Sequence, residues 1–487
     1  MQPAGPIRYA SASGRWVIAA TVLGSGIAFL DSTVVNVALP AISEDLGAGI
    51  RGLQWVLDGY LVTLTALILL GGSLGDHYGR RRMFVYGLIA FTIASVLCGV
   101  APNTGTLIFA RALQGVGGAF LVPGSLAIIS ATFHAEDRAR AIGAWSGLAG
   151  VSSALGPLVG GYLVDAVSWR WVFFINVPLA AIAIWIALRH VPESRDETVT
   201  GRPDVPGALL ASAGLAGLAY AFIEGPGGVT PGIIVTGVLG AAALLAFVAV
   251  EMRTPNPMLP MDLFRSQQFT GANLTTLAVY TALGGALFLV VLELQLVMGY
   301  SALEAGIALF PVTALMLFLS PRTGMLAQRI GPRIPMTVGP FVVAVGLVLF
   351  ARVDDGGSYI AVVLPAAVVF GLGLSLTVAP LTAAVLGAVE DRHVGIASGV
   401  NNAVARLAGL LAVAVLPGIV GLDTASGGSD FSDGYMLAML ISAVIAVAGG
   451  LIAFATVRKV APNIETGSRV MIEPCLPAGC ERREEAA

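Results

Sequence analysis

The sequence predicts an all-α integral membrane protein of fourteen spanning helices with both termini cytoplasmic, and three observations predict it. Of 487 residues, 56% are hydrophobic and only 11% charged, where soluble domains carry about 25% charged residues. The apolar segments are long and unbroken, as a helix crossing about 30 Å of hydrocarbon requires; a transmembrane barrel would show short alternating strands instead. The arginines, finally, favour one side of the membrane.

The spans are expected near 16–39, 53–71, 83–100, 106–130, 141–164, 172–189, 207–224, 231–251, 270–298, 303–321, 334–351, 359–386, 394–422 and 434–457. An even number puts both termini on one side. Placing that side inside leaves Arg51, Arg170 and Arg352 outside and Arg111 and Arg406 within the membrane, with the rest of the 26 Lys+Arg cytoplasmic. The inverted orientation breaks the positive-inside rule at nearly every loop. Trp16–Leu39 is too long for the apolar core of a signal peptide and carries Asp31, so no cleavable leader is expected. A net charge of −3 gives no nucleic-acid footprint. Cys98 lies in an apolar run, and Cys475 and Cys480 are expected to be unpaired thiols rather than a metal or disulfide pair. The four histidines are expected in cytoplasmic loops without metal spacing, so neither a metal site nor a cofactor is expected.

The stretch Gly72–Arg82 is the most informative. It reads as a tight cytoplasmic loop: Gly72, Gly75 and Gly79 permit close turns, Arg80, Arg81 and Arg82 mark the inner face, and Asp76 is a lone acid needing a partner. The stretch repeats downstream. Gly72, Leu74, Gly79 and Arg81 map onto Gly324, Leu326, Gly331 and Arg333, and Gly143 and Ser146-Gly147 map at the same offset onto Gly395 and Ser398-Gly399. Coincidence in a Gly-rich chain is one reading; duplication of a six-helix unit is the better one. The offset skips the seventh and eighth spans. The expected organisation is therefore a six-helix bundle over 1–200, an inserted helix pair over 201–255, a second bundle over 256–458 and a flexible cytoplasmic tail over 459–487.

In family terms, Gly72–Arg82 resembles the loop between the second and third helices of the major facilitator superfamily. Leu30–Pro40, with Asp31 and Asn36, resembles the first-helix motif of its fourteen-helix branch, the drug:proton antiporter-2 family. Arg111 with Gln114 and Gly115 resembles the fourth-helix motif, and Gly143 with Gly156, Pro157, Gly160 and Gly161 the fifth-helix antiporter motif, in which Ser152 replaces a usual glycine. Trp169–Trp171, Phe173, Phe174, Asn176 and Pro178 resemble the start of the sixth helix in that branch. The resemblance implies a major-facilitator-type fold and a proton-driven multidrug exporter of the inner (plasma) membrane. It also implies a functional acid at the position of Asp31.

The residues support candidate roles on their own chemistry. A charge at mid-membrane costs at least about 2.5 kcal/mol, so an acid held there is a functional candidate. Asp31 is expected to carry protons, with a structural hydrogen-bonding role as the alternative. Arg111 lies at similar depth and needs a partner, with Gln114 one turn away; a fixed ion pair is the alternative. Asp58, near the outer end of the second span, is expected level with Asp31 across the antiparallel pair, with simple solvation at the interface as the alternative, and Glu293 deep in the ninth span; both are candidates to bind protons alongside Asp31. Asn36, Gln114, Gln295, Asn401, Asn402 and Arg406 are expected to line a cavity, Asn402 and Arg406 sharing one helix face. Gly156, Pro157, Gly160 and Gly161 form a smooth helix face, suited to sliding or simply to tight packing. Asp76 and Arg80–Arg82 are assigned to gating, with Asp76 capping a helix or binding an arginine of the other half.

The expected function is a monomeric proton-coupled antiporter that exports small amphipathic molecules by alternating access, energised by the proton gradient across its lipid bilayer. A nutrient symporter or facilitator of the same fold is the alternative. A channel, or an enzyme, for which no catalytic cluster is visible, comes after it.

Overall fold

The computed structural model describes residues 7–195, 203–254, 257–353, 357–389, 394–422 and 428–458. His393, Cys475, Cys480 and the expected tail over 459–487 lie outside the described residues. Fourteen helices among them are long and apolar enough to cross a membrane.

The first half begins with α1 (Ala12–Leu46), whose N-cap Ser11 accepts from the Gly14 amide. It continues through α2 (Ile50–Tyr78) and α3 (Arg80–Gly99). The fourth span is broken into α4 (Thr104–Gly118) and α5 (Leu121–Thr132). The break has a cause: Pro123 has no N–H to offer the carbonyl of Ala119 one turn earlier. Next come α6 (Ala135–Ala166), the short α7 (Trp171–Phe174) and α8 (Asn176–His190). The inserted pair is α9 (Val205–Glu224) and α10 (Pro231–Glu251). The second half holds α11 (Gln267–Leu292), which ends in a π-helical turn over Glu293–Val297. It proceeds through α12 (Ala302–Ile330), α13 (Arg333–Phe350), α14 (Leu364–Leu386), α15 (Val394–Ile419) and α16 (Gly428–Thr456).

The helices outrun the apolar segments at several ends, because hydropathy marks only the part of a helix inside hydrocarbon. Two corrections follow. The Gly72–Arg82 stretch is not a loop: Gly72–Tyr78 is the last part of α2, Arg80–Arg82 opens α3, and Gly79 alone lies between them at φ 111°. His77 and His190 likewise close helices instead of lying in loops. The duplication has a backbone counterpart. Between α12 and α13 the turn rests on Gly331 at φ 85°, the position equivalent to Gly79. Both angles fall where side-chain-bearing residues are disfavoured, so glycine is required at each.

Helices α1–α8 pack into one bundle and α11–α16 into another. The bundles meet along two seams, α6 against α12 and α2 against α15. At the first seam Gly161 approaches so closely that a Cβ there would lie 2.5 Å from Leu303 Cα, and Gly306 lies against the Pro157 carbonyl. The inserted pair sits on the second seam. Val62 and Ala66 of α2, Ala211, Leu215 and Ala219 of α9 and Leu410 of α15 form one apolar cluster. Most of α10 faces outward, its contact with α9 being made through Gly214, Gly217 and Gly240.

The two bundles are sealed at the end opposite the termini, here termed the far end. Asp165 at the close of α6 accepts from the backbone amides of Ala302 and Leu303 (3.2 and 2.9 Å), the first two of α12, where the helix dipole favours a carboxylate. Gln54 of α2 donates to the carbonyl of Val413 in α15 (2.6 Å), and Gln295 to that of Val37 in α1 (3.0 Å). Toward the terminal end the bundles still touch where Leu69 of α2 meets Gly399 of α15, but open space lies beside α6. A Cβ added at Gly143, Gly147 or Gly150 of α6, or at Gly395 of α15, would meet nothing within 4 Å.

Candidate functional site

Asp31 lies near the midpoint of α1 and Arg111 in the middle of α4, and both are buried, at 0% and 1% exposure. Arg111 Nη1 donates to Asp31 Oδ2 at 2.6 Å and to Gln114 Oε1 at 2.6 Å. Gln114 Nε2 donates to Asp31 Oδ1 at 2.8 Å and to Ser95 Oγ at 2.8 Å. Asn176 Nδ2, at the start of α8, reaches the same Oδ1 at 3.1 Å. Three donors from two helices therefore surround the Asp31 carboxylate. Arg111 is held in turn: its Nε donates to the Val56 carbonyl of α2 (3.1 Å), and the Tyr60 ring lies 4.4 Å below the guanidinium carbon. In a low-dielectric interior an ion pair needs further hydrogen bonds to hold it, and Gln114, Asn176 and the Val56 carbonyl supply them here.

Asp58 lies between Val56 and Tyr60, both of which touch Arg111. Its own side chain is fully buried, and neither carboxyl oxygen has a hydrogen-bond partner. The first bundle thus holds two acids of opposite character, one wrapped in donors and one bare.

The second bundle does not duplicate this arrangement. Glu293 is fully buried, but it opens the π turn at the far end of α11 rather than lying deep in the span, and it accepts from Ser432 Oγ of α16 at 2.8 Å. It belongs to the interior of the second bundle and not to the Asp31 network. Gln295 serves the far-end seal. Asn401 donates to Asn273 (3.2 Å) and Thr276 (2.7 Å) of α11, fastening α15 to it, while Asn402 donates to the Ser398 carbonyl of its own helix. Asn36 donates to the Ser32 carbonyl one turn back. Arg406 points across to the first bundle, its guanidinium carbon 5.6 Å from the Phe29 ring centre. Asn36, Asn402 and Arg406 are half-buried.

At the terminal end Asp76 pairs with Arg80 of the next helix at 2.7 Å. This is a contact within one bundle, not one across the two. Arg81 is held by the segment after α8, donating from Nη1 to the Val191 carbonyl (3.0 Å) and from its amide to Glu193 (3.1 Å). On α6, Gly156 and Gly160 face α1: a Cβ at Gly156 would strike Thr33, and one at Gly160 would lie 3.1 Å from the Val34 carbonyl. Pro157 and Gly161 face α12. Gly143 stands apart from this packing.

Several participants escape sequence reasoning. Asn176 completes the Asp31 shell and Ser95 receives the Gln114 and Asn176 amides; Ser95 is signalled only as a polar residue inside an apolar run, and Asn176 stands in the sixth-helix motif without an assigned role. Asp165 and Gln54 close the far end from span ends, where polar residues are ordinary.

A family model described as the Major Facilitator Superfamily matches residues 21–413. The chain is 37% identical over 404 residues to the multidrug resistance protein Stp of Mycobacterium tuberculosis (strain CDC 1551 / Oshkosh), covering 82% of this chain and 75% of that one. It is 35% identical over 424 residues to the puromycin resistance protein pur8 of Streptomyces alboniger, covering 84% of each. Among solved structures, a bacterial homolog of the human lysosomal transporter Spinster, inward-facing and unoccupied, superimposes with a TM-score of 0.64 at 18% identity, over 92% of this chain and 98% of that one.

Proposed function

This chain belongs to the Major Facilitator Superfamily, and on that premise we propose a proton-coupled antiporter of the cell membrane that exports small amphipathic molecules of the drug or antibiotic class. Relatives named for multidrug and puromycin resistance support the substrate class. A nutrient symporter of the same fold finds no such support. The single observation that carries the coupling is the buried Asp31–Arg111–Gln114 network beside the bare carboxyl of Asp58. Ionisable groups in the membrane interior are too costly to keep without a role that needs them.

The division of labour follows from the partners. Asp31 is paired with Arg111 here. Asp58 carries the proton in this conformer, since a bare carboxylate in apolar surroundings lacks the donors that make its charge tolerable. Substrate passes between the bundles, meeting Phe29, Asn36, Asn402 and Arg406. When the molecule turns over, rearrangement around Arg111 frees Asp31 to exchange protons with the opposite compartment, and Glu293 serves as a further proton-bearing group near the far end. Arginine placement orients the termini toward the cytoplasm, so the sealed far end is external and this conformer opens inward. On closing inward, Asp76 exchanges Arg80 for a partner in the second half. We take the units as 1–200, 201–255 and 256–458 followed by a cytoplasmic tail, acting as a monomer driven by the proton gradient alone.

The test is efflux from proteoliposomes under an imposed pH gradient. Asp31→Asn is expected to lower pH-driven efflux by at least about tenfold, the equivalent of 1.4 kcal/mol in the barrier. Efflux at the wild-type rate overturns the coupling role.

A further inference from the structure

The inserted pair carries a feature that transport between the bundles does not use. Asp204 caps the start of α9, its Oδ1 accepting from the Gly207 amide at 2.8 Å. Glu251 closes α10, and its Oε2 accepts from the Leu259 amide at 2.9 Å, fastening the segment that leads into the second bundle. Each carboxyl thus has one oxygen committed to backbone. The other two, Asp204 Oδ2 and Glu251 Oε1, face each other across Gly207. A Cβ on that glycine would lie 2.5 Å from the first and 3.0 Å from the second. Both residues are buried, at 6% and 2% exposure, and neither free oxygen meets an N–H or O–H donor.

Next to Gly207 and Leu259 in the chain, Ala208 and Met258 belong to an apolar cluster with Leu70 and Leu74 of α2. Among the described residues neither acid has a salt-bridge partner, Arg253 included, although it is two residues from Glu251. Two facing carboxylates at this range repel, and in a buried site the pair is stable with one proton between them. Two carboxyls are too few ligands for a calcium or magnesium ion, which takes six or more oxygens.

We propose that Asp204 and Glu251 share one proton, forming a protonatable site off the transport route that clasps the terminal end of the inserted pair. The bound proton bridges Oδ2 and Oε1. As the pH rises it leaves to water, the pair becomes doubly charged, and the carboxyls separate. Glu251 then releases Leu259, loosening the connection into α11.

The experiment uses full-length purified protein. Thermal unfolding midpoints are measured from mildly acidic to alkaline pH for the wild type, Glu251→Gln and Asp204→Asn, with hydrogen–deuterium exchange of the segment containing Leu259 followed alongside. In the wild type the midpoint is expected to fall and exchange at Leu259 to rise as the pH increases. Either amide variant, which keeps a hydrogen bond but cannot lose a charge-neutralising proton, is expected to flatten both responses; if one fails to fold, the other decides. A wild-type pH response retained in a folded variant overturns the proposal. So does a midpoint raised by magnesium or manganese in the wild type but not in Glu251→Gln, which would make the pair a metal site. Glu251→Gln is expected to keep pH-driven efflux at the wild-type rate, and a tenfold loss would put the pair on the transport route.

Discussion

Arg111 bonds Asp31, Gln114 and the Val56 carbonyl at once, so its removal does more than break one contact. Arg111→Ala leaves a buried carboxylate with only the amides of Gln114 and Asn176. Stranding one member of a buried ion pair costs about 3–5 kcal/mol, and the thermal unfolding midpoint in detergent should drop accordingly. Adding Asp31→Asn removes the stranded charge and should recover most of the loss; a double variant no more stable than Arg111→Ala would mean that the pair is not what stabilises the site. At this scale the sequence is legible where a charge interrupts an apolar run, as at Asp31, Asp58, Arg111 and Glu293. It is illegible where the polar residue is small and common, as at Ser95, or where a charge sits at a span end, as at Asp165, Asp204 and Glu251; Asn176 is visible as a motif residue but not as a partner of Asp31. At a span end, contact with water explains a charge as well as function does.

Among the helices, α6 is the one on which the motif glycines fall into distinct kinds. Gly156 and Gly160 press on α1 and Gly161 on α12, while Gly143 faces open space. Gly161→Val therefore forces α6 and α12 apart at the far end, an overpacking cost of about 1–3 kcal/mol, whereas Gly143→Val should change little. The check is thiol labelling of Ser301→Cys in a background without Cys98, Cys475 and Cys480. Labelling should quicken with Gly161→Val and stay unchanged with Gly143→Val; equal rates would refute the assignment. The helices themselves were readable from apolar length. The Gly72–Arg82 stretch was misread because glycines and charges look like a turn, yet one positive-φ glycine suffices to reverse the chain and the rest continue the flanking helices.

For the whole molecule, the far-end seal rests on a few polar contacts: Asp165 with the start of α12, Gln54 with Val413 and Gln295 with Val37. A carboxylate at a helix N-terminus contributes about 0.3–1 kcal/mol, up to about 2 when partly buried, and a neutral hydrogen bond about 0.5–1.5. Combining Asp165→Asn, Gln54→Ala and Gln295→Ala should therefore shift the population toward the conformer open at the far end by roughly tenfold or more. Spin labels on opposite bundles at that end, read by electron–electron distance measurement, should show a longer-distance population; an unchanged distribution would mean the seal is apolar. The two-bundle plan with an inserted pair was legible because the repeat recurs at one offset that skips α9 and α10. Where that pair docks was not, since its apolar surface suits lipid and protein equally.

The docking has a mechanical corollary. Helix α9 is seated against α2 of one bundle and α15 of the other. A rod lying in the groove between two bodies cannot keep both seats once they swing relative to each other. Each transport cycle must therefore slide α9 over one of its neighbours, and the small alanine side chains of Ala211 and Ala219, shallow enough to be skated across, lie where that slip has to happen.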